Sequence, residues 1–293
     1  MTVVDCVLDA KAQVGEGAMW DETLGRLWWV DINAPTLNRF DPATGENRAW
    51  TMPSRIGCFG FRAKGGFVVA LEDGFSTFDP ETGAIEAIVD PEPEWPENRF
   101  NDGTPDSAGR LIAGTMPMGE RLPVASIWRL DADRRVSRLV DGLRVSNGMA
   151  FSPDGRLFYW SDSDPSVQTI WVADYDPASG TLGRRRVLAK TDELAGRPDG
   201  GTIDADGCYW MAGVGGWQLV RFTPDGRVDR IVDMPVERPT KIAFGGADLK
   251  TLYVTSISGG QTPGTEARQP QAGGIFALSV PGVQGLPAWR LAV

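Results

Sequence analysis

Short apolar runs alternate with turn signals along the whole chain. After Asp204-Ala205-Asp206-Gly207, for example, comes the apolar run 208–214, which is rich in aromatic and β-branched residues. Asp side chains bond the local backbone and Gly accepts a positive φ, so the tetrapeptide predicts a tight turn. The run that follows it is typical of a β-strand. Helical periodicity is nearly absent, and the best helical candidate, 192–195, is one turn long.

The turns recur at a regular interval. One set begins at Asp21, Ala63, Asp106, Ser152, Asp204 and Gly245, and a second set lies between its members at Asp41, Asp79, Asp131, Asp176 and Thr223. Each repeat of roughly 40–45 residues therefore holds about four strand-like runs and two hairpin turns, which is the pattern of a propeller blade. Six such repeats predict a six-bladed β-propeller of four-stranded antiparallel blades. A β-solenoid or a sandwich fits the hairpin alternation less well.

The sequence shows no linker that would divide the chain. We therefore predict a single propeller domain, 1–293. Its ring is expected to close through the opening run 3–8 and the final run 274–278, which would share one blade.

Oxygen-bearing side chains recur at one register of the repeat. The innermost strand of each blade lines the central channel, and ligands usually lie at one end of that channel. The positions five residues before the first-set turns are Glu16, Asn101, Asn147, Asp199 and Thr240, and a shift of one residue in the second blade gives Gly57. Four of the six blades are therefore predicted to aim a Glu, Asn or Asp side chain at one end of the channel.

Two carboxylates and two amides form an oxygen-only site for one divalent cation. Ca²⁺ and Mg²⁺ prefer such ligands, and Mn²⁺, Fe²⁺ or Zn²⁺ also fit. Glycines beside Glu16, Asn147 and Asp199 allow close approach of the backbone. Each residue alone could instead satisfy backbone groups at a strand end. The recurrence of four at one register favours the cation site.

The amino-acid composition excludes several kinds of catalytic site and binding partner. The chain has no histidine, which excludes Ser-His-Asp and Cys-His nucleophilic machinery and His-ligated zinc. A net charge of −10 argues against a nucleic-acid partner. The three cysteines, Cys6, Cys58 and Cys208, are widely spaced, and neither a signal peptide nor a membrane-spanning run is visible. We therefore predict a cytoplasmic protein with no membrane partner; nothing in the sequence indicates its oligomeric state.

Several motifs, taken in chain order, resemble the senescence marker protein (regucalcin)/gluconolactonase/luciferin-regenerating enzyme family. They are Val14-Gly15-Glu16-Gly17, Asn98-Arg99-Phe100-Asn101-Asp102-Gly103, Ala113-Gly114-Thr115-Met116, Ser146-Asn147-Gly148, Pro198-Asp199-Gly200 and the segment from Arg268 to Phe276. The resemblance covers nearly the whole chain. It implies a six-bladed propeller and a metal-dependent sugar lactonase, a carboxylic ester hydrolase.

The resemblance also implies roles for particular residues. Glu16, Asn147 and Asp199 match metal ligands, and Asp199 also matches the general base. Arg99 and Asn101 match positions that contact the substrate. Glu120 is a further substrate-site candidate, although the acidic residues of vertebrate members lie in a register that differs by one residue.

These residues suggest a hypothesis for the reaction. A divalent cation would polarise the lactone carbonyl, and Asp199 would take the proton of the attacking water. The expected substrate is a small sugar lactone such as gluconolactone, arabinonolactone, galactonolactone or xylonolactone. Two alternatives stay open, an organophosphate-hydrolysing propeller and a non-catalytic calcium-binding or scaffold propeller.

Two features have a second interpretation. Arg99 could form a structural ion pair with Asp102, either instead of contacting substrate or in addition to it. The segments 116–125 and 258–272 are rich in Gly, Pro and polar residues, and we expect them to rim the channel, either as a lid or as ordinary surface loops.

Overall fold

The computed structural model describes residues 2–293, so Met1, which the predicted domain 1–293 includes, lies outside the described residues. The chain opens with β1 (Val4–Leu8) and then forms successive blades of four strands. The first three blades are β2 (Gly15–Asp21), β3 (Arg26–Asp31), β4 (Thr36–Phe40), β5 (Asn47–Thr51); β6 (Ile56–Phe61), β7 (Phe67–Leu71), β8 (Gly74–Phe78), β9 (Ile85–Val89); and β10 (Asn98–Pro105), β11 (Leu111–Pro117), β12 (Ala125–Leu130), β13 (Val136–Leu143).

The remaining strands complete the ring. Blades four to six contain β14 (Ser146–Phe151), β15 (Leu157–Asp162), β16 (Thr169–Asp176), β17 (Thr181–Lys190); β18 (Arg197–Ile203), β19 (Tyr209–Val214), β20 (Gln218–Phe222), β21 (Val228–Asp233); and β22 (Pro239–Gly245), β23 (Thr251–Ser256), β24 (Ile275–Ser279). β1 is the fourth strand of the last blade and pairs antiparallel with β24. The predicted six-bladed propeller and its closure by the first and last strands are confirmed.

Apolar side chains on facing sheets fill the spaces between blades. Between the first two blades, Trp28 and Val30 pack with Phe59, Phe67 and Val69 in one buried cluster. Burying a side chain of this size stabilises the fold by about 1.5–3 kcal/mol. The alternation that produces these strands therefore also produces the contacts that hold neighbouring blades together.

The described residues contain one short helix, the 3₁₀ turn Glu266–Arg268. None of their helices is long and apolar enough to cross a membrane. The segment 192–195 forms a turn, not a helix.

In every blade, the pairing between the innermost strand and the second strand shifts its register at an equivalent position. The breaks lie between Glu16 and Met19, Ile56 and Cys58, Phe100 and Gly103, Asn147 and Ala150, Pro198 and Gly201, and Pro239 and Ile242. A β-bulge bends its strand and re-aims a side chain. The six bulges coincide with the register at which the sequence places oxygen-bearing residues.

The segment after β24 crosses the opposite end of the channel. Its backbone bonds to three blades: Gly285 N–H donates to Leu249 O at 2.8 Å, Leu291 N–H to Phe61 O at 2.7 Å, and Ala292 N–H to Gly109 O at 2.8 Å. Residues 286–289 cover a cavity of about 130 Å³ between the inner strands. We call this segment, 283–293, the base strap.

We expect Leu291→Ala to lower the free energy of unfolding by about 2–4 kcal/mol, because it removes a fully buried side chain and leaves a cavity. Leu286→Ala is the matched control, since Leu286 lies in the same strap but is 37% exposed. Urea unfolding followed by tryptophan fluorescence measures both. Equal losses from the two variants would contradict the anchoring role of Leu291.

Candidate active site

Glu16 and Asp199 meet on the channel axis. Glu16 is the second residue of β2, and Asp199 is the third residue of β18, two blades away around the ring. Their side chains are only 6% and 7% exposed, and their carboxyl groups lie within hydrogen-bonding reach of each other. The structure thus brings together the two acidic residues that the sequence places at one register.

The environment opposes the ionisation of both groups. Burial, followed by the charge of Asp199, raises the pKa of Glu16 well above its usual range. Burial, followed by the charge of Asp102, raises the pKa of Asp199 to about 7. A cation bound between the two carboxylates would reverse this effect, because an opposite charge nearby favours the ionised form.

Asn147 presents an unused acceptor at the same level. Its Nδ2 donates to Ser163 Oγ at 2.8 Å, and Ser163 Oγ in turn donates to Pro198 O, next to Asp199. Its Oδ1 is buried and has no hydrogen-bond partner in residues 2–293. Buried polar atoms normally have partners. The lone acceptor is therefore available to a ligand.

The turn that carries Asn147 is held in place by packing. Gly148 has a φ of +64°, and a Cβ atom there would lie 2.2 Å from the Tyr209 hydroxyl oxygen. The same hydroxyl donates to Gly148 O at 2.7 Å. Only glycine accommodates both the positive φ and this close approach. Tyr209 thus fixes the backbone beside Asn147.

A buried ion pair, Asp102–Lys241, lies beside the candidate ligands. Lys241 Nζ contacts Asp102 Oδ1 at 2.8 Å and Oδ2 at 3.0 Å. Asp102 also accepts hydrogen bonds from Gly103 N–H and Met149 N–H. Asp102 is therefore fully engaged. The alternative that Arg99 pairs with Asp102 is wrong, because Asp102 is already bonded to Lys241.

Acidic and basic side chains face one another around the axis. With every group ionised, Glu16, Asp199 and Asp102 carry three negative charges, and the positive charges of Lys241, Arg99 and Arg197 act on them. In residues 2–293 no group of three or more His, Cys, Asp or Glu side chains is arranged to hold a metal. A cation site here therefore depends on the Asn147 amide as its third donor. The donor set of two carboxylates and one amide oxygen fits Ca²⁺ and related hard cations.

Three blades contribute no cation ligand. The predicted fourth oxygen donor, Asn101, accepts a hydrogen bond from Arg99 at its Oδ1, so the site has one amide donor instead of two. The second and sixth blades lack a ligand for other reasons. A Cβ atom on Gly57 would lie 2.4 Å from Phe100 O, so the neighbouring strand leaves no room for a side chain. Thr240 Oγ1 donates to Gly15 O and contacts Thr255 Oγ1. Thr240 therefore joins blades six and one and is not free to bind a ligand.

Arg99 and Asn101 brace each other near the mouth of the channel. Arg99 Nη1 donates to Asn101 Oδ1 at 2.9 Å and to Phe100 O at 2.8 Å, and Asn101 Nδ2 donates to Ser146 O at 3.0 Å. Burial lowers the pKa of Arg99 to about 10, so the side chain remains a cation at neutral pH. The structure therefore presents a fixed cation near Glu16.

The remaining sequence candidate lies apart from this group. Glu120 is exposed in the loop 118–124 and, in the described chain, makes no hydrogen bond or ion pair with another candidate residue. That loop touches Arg55 through Met118 Sδ and is held by Arg144 at Arg121 O, so it spans part of the rim. The segment 258–272 is held at Glu237, which accepts hydrogen bonds from Thr262 N–H and Oγ1.

Comparison with known proteins identifies the family. Residues 14–258 match the description "SMP-30/Gluconolactonase/LRE-like region". The chain belongs to this family. The resemblance read from the sequence motifs is confirmed.

The gluconolactonase-like family includes curated and solved relatives over nearly the full length of the chain. A 6-deoxy-6-sulfogluconolactonase of Pseudomonas putida is 37% identical, over 94% of this chain and 95% of its own. Regucalcin of Xenopus laevis is 34% identical, over 97% and 96%. The solved structure of a calcium-binding regucalcin from Agrobacterium tumefaciens is 26% identical and has a TM-score of 0.93, covering 100% of this chain and 98% of that one.

We predict that Asp199→Asn stabilises the chelator-treated protein. The folded pKa of about 7 lies above the usual value near 4, so the stability associated with the neutral carboxyl is present below pH about 4 and is lost as the pH rises through about 7. An amide cannot ionise, so the variant should gain about 1–3 kcal/mol at pH 8 and much less at pH 4. Thermal unfolding at the two pH values measures the gain. Asp192→Asn, at an exposed position, is the control and should leave the stability unchanged at both pH 4 and pH 8.

Proposed function

We propose that this protein hydrolyses a sugar aldonolactone to the aldonic acid and that it uses a divalent cation held by Glu16, Asn147 and Asp199. The observation that carries the proposal is the pair of buried, facing carboxyl groups beside the unpartnered Oδ1 of Asn147. The predicted enzyme class, a lactone-hydrolysing carboxylic ester hydrolase, is confirmed by relatives named as lactonases.

A cation bound by these three side chains would supply Lewis-acid polarisation of the ester carbonyl and offset the negative charge that develops on its oxygen. Glu16 and Asn147 then act as its fixed holders, since their positions are set by Gly17 N–H, which donates to Glu16 Oε2 at 3.2 Å, and by Ser163. The name of the Agrobacterium relative, a calcium-binding protein, supports Ca²⁺ as the first ion to test.

Asp199 is the general base of the proposal. Its carboxylate takes a proton from the water that attacks the lactone carbonyl carbon. When the bond from that carbon to the ring oxygen breaks, Asp199 returns the proton to the ring oxygen, so one water is consumed and one hydroxy acid is formed. A carboxylate held beside the attacking water is suited to take its proton.

Arg99 and Asn101 are the proposed contacts to the sugar hydroxyls. Arg99 has donors left over after its two bonds to Phe100 O and Asn101 Oδ1. Asn101, which is fixed between Arg99 and Ser146, also orients Arg99. Glu120 stays a prediction as a substrate contact.

The proposal includes a cytoplasmic location. The three cysteines are unpaired, and two of them, Cys58 and Cys208, are buried. Unpaired cysteines suit a reducing compartment.

Replacing Asp199 by Ala should lower kcat/KM for the best lactone by about 10²–10⁴-fold, because the general base is lost. Acid release measured at constant pH reports the rate, and circular dichroism confirms that the variant is folded. Asp192→Ala is the control with wild-type rates. Substantial activity of metal-loaded Asp199→Ala would refute the assigned base.

Chelation should abolish hydrolysis of every lactone in a panel of gluconolactone, galactonolactone, arabinonolactone and xylonolactone. Re-addition of Ca²⁺, Mg²⁺, Mn²⁺ or Zn²⁺ to the stripped protein should restore it to different extents, and Glu16→Gln should weaken metal affinity measured by titration calorimetry. A hydrolysis rate that does not change when chelator is added would contradict the cation-dependent mechanism.

A further inference from the structure

A salt bridge between two opposite blades crosses the channel. Asp102 lies on β10 in the third blade and Lys241 lies on β22 in the sixth, and these blades face each other across the ring of six. Lys241 Nζ approaches both carboxylate oxygens of Asp102, at 2.8 and 3.0 Å, and both side chains are buried. We call these two residues the cross-channel pair. The proposed reaction gives neither of them a task.

The cross-channel pair lies deeper in the channel than the candidate cation ligands. The inner strands run from the mouth toward the end that the base strap covers, so a later residue of such a strand lies closer to that end. Lys241 follows Thr240 by one residue, and it lines the cavity at the far end together with Gly103 and Met149. The pair therefore forms the floor of the proposed cation site.

Asp102 holds the turn that carries Asn147. Its Oδ1 accepts a hydrogen bond from Gly103 N–H at 2.8 Å, and its Oδ2 accepts one from Met149 N–H at 3.0 Å. Met149 lies two residues after Asn147, inside the break in strand pairing that ends at Ala150. A buried amide that leaves the strand ladder needs another acceptor, and the Asp102 carboxylate supplies it. Asp102 thus fixes the backbone beside the unpartnered Oδ1 of Asn147.

Lys241 limits the position of the backbone beside Asp199. The stem of Lys241 passes so close to Gly200 that a Cβ atom there would lie 2.4 Å from Lys241 Cδ. Gly200 directly follows Asp199, inside the break in pairing between Pro198 and Gly201. The second bulge that carries a candidate ligand is therefore in contact with the other end of the pair.

The strand that carries Lys241 also holds the backbone beside Glu16. Thr240 Oγ1 donates a hydrogen bond to Gly15 O, and Gly15 directly precedes Glu16 in β2. The same Thr240 hydroxyl contacts Thr255 Oγ1 at 2.8 Å, and Thr255 Oγ1 accepts a hydrogen bond from Lys241 N–H at 3.0 Å. Two hydroxyl groups thus connect the backbone of Lys241 to the first candidate ligand.

We propose that Asp102 and Lys241 are positioning residues, and that their ion pair sets the relative positions of the cation ligands Glu16, Asn147 and Asp199. Each member of the pair acts on backbone next to a ligand, and the bond between the members keeps these contacts at a fixed separation across the channel. Partners that lie behind the ligands of a metal site orient them in this way. The inference rests on the cation site of the proposed function.

The first test replaces the pair without changing the net charge of the site. Asp102→Asn/Lys241→Met removes one negative and one positive charge, and methionine keeps an unbranched stem beside Gly200. We expect the metal-stripped variant to bind Ca²⁺ at least about tenfold more weakly than the stripped wild type in titration calorimetry, because the loss of a partner behind metal ligands has effects of this size. A smaller loss overturns the proposal.

A second variant keeps both charges. Asp102→Glu moves the carboxylate by one methylene group, so it can still pair with Lys241 but cannot accept the hydrogen bonds of Gly103 N–H and Met149 N–H from their present positions. A positioning role predicts weaker Ca²⁺ binding by this variant too, whereas a role through charge alone predicts unchanged binding. Wild-type affinity of Asp102→Glu, with its fold verified by circular dichroism, therefore overturns the proposal.

Asp204→Asn/Arg221→Met is the matched control. Arg221 Nε donates to Asp204 Oδ2 at 2.8 Å in another buried ion pair, and Asp204 lies in the turn after β18, away from Asp199. This variant also loses one charge of each sign and one buried ion pair, and it should bind Ca²⁺ as the wild type does. An equal loss of affinity in the control overturns the proposal, because the effect would then come from general destabilisation.

Hydrogen exchange measures the positioning without any cation. In the chelator-treated protein, we expect the segment 145–151 to exchange faster in Asp102→Asn/Lys241→Met than in the wild type and the control, because the Met149 amide loses its carboxylate acceptor. Unchanged exchange of this segment overturns the proposal. If the wild type binds no cation, the proposed function fails instead, and the exchange measurement still decides whether the pair holds this segment.

Discussion

The structure depends on keeping two carboxyl groups, those of Glu16 and Asp199, buried against each other on the axis of the ring. Such an arrangement opposes folding unless positive charge or a proton offsets it. The protein supplies compensating charge from Lys241, which is bonded to Asp102, and from Arg99. The cation-dependent proposal follows from the buried carboxyl pair and the unpartnered Oδ1 of Asn147 more than from any single motif.

The propeller makes this arrangement possible because different blades supply the side chains that meet at the axis. Glu16, Asn147 and Asp199 come from three blades, and each side chain follows a bulge in an otherwise regular inner strand. Between the blades, tightly packed aromatic clusters hold the strands in position. A rigid scaffold of this kind can hold like charges together because the energy to do so is distributed over many apolar contacts.

The fold could be predicted from the sequence because each blade repeats its turns and apolar runs at a regular interval. Counting back from the turns therefore found Glu16, Asn147 and Asp199 together. Lys241 was missed, since the count considered oxygen donors and its partner, Asp102, is 139 residues away in the chain. The pairing of Arg99 with Asp102 was wrong for a related reason: the bulge between Phe100 and Gly103 breaks the local alternation, and only the fold shows which strand faces Asp102.

The base strap has a consequence for the stability of the ring. Residues 286–289 line the cavity at the far end of the channel, and the backbone of the strap bonds to the second, third and sixth blades. Blades that lie far apart along the chain are therefore fastened to one another by the last residues of the chain. Loosening the strap would release three blades at once at the end of the channel away from Glu16 and Asp199.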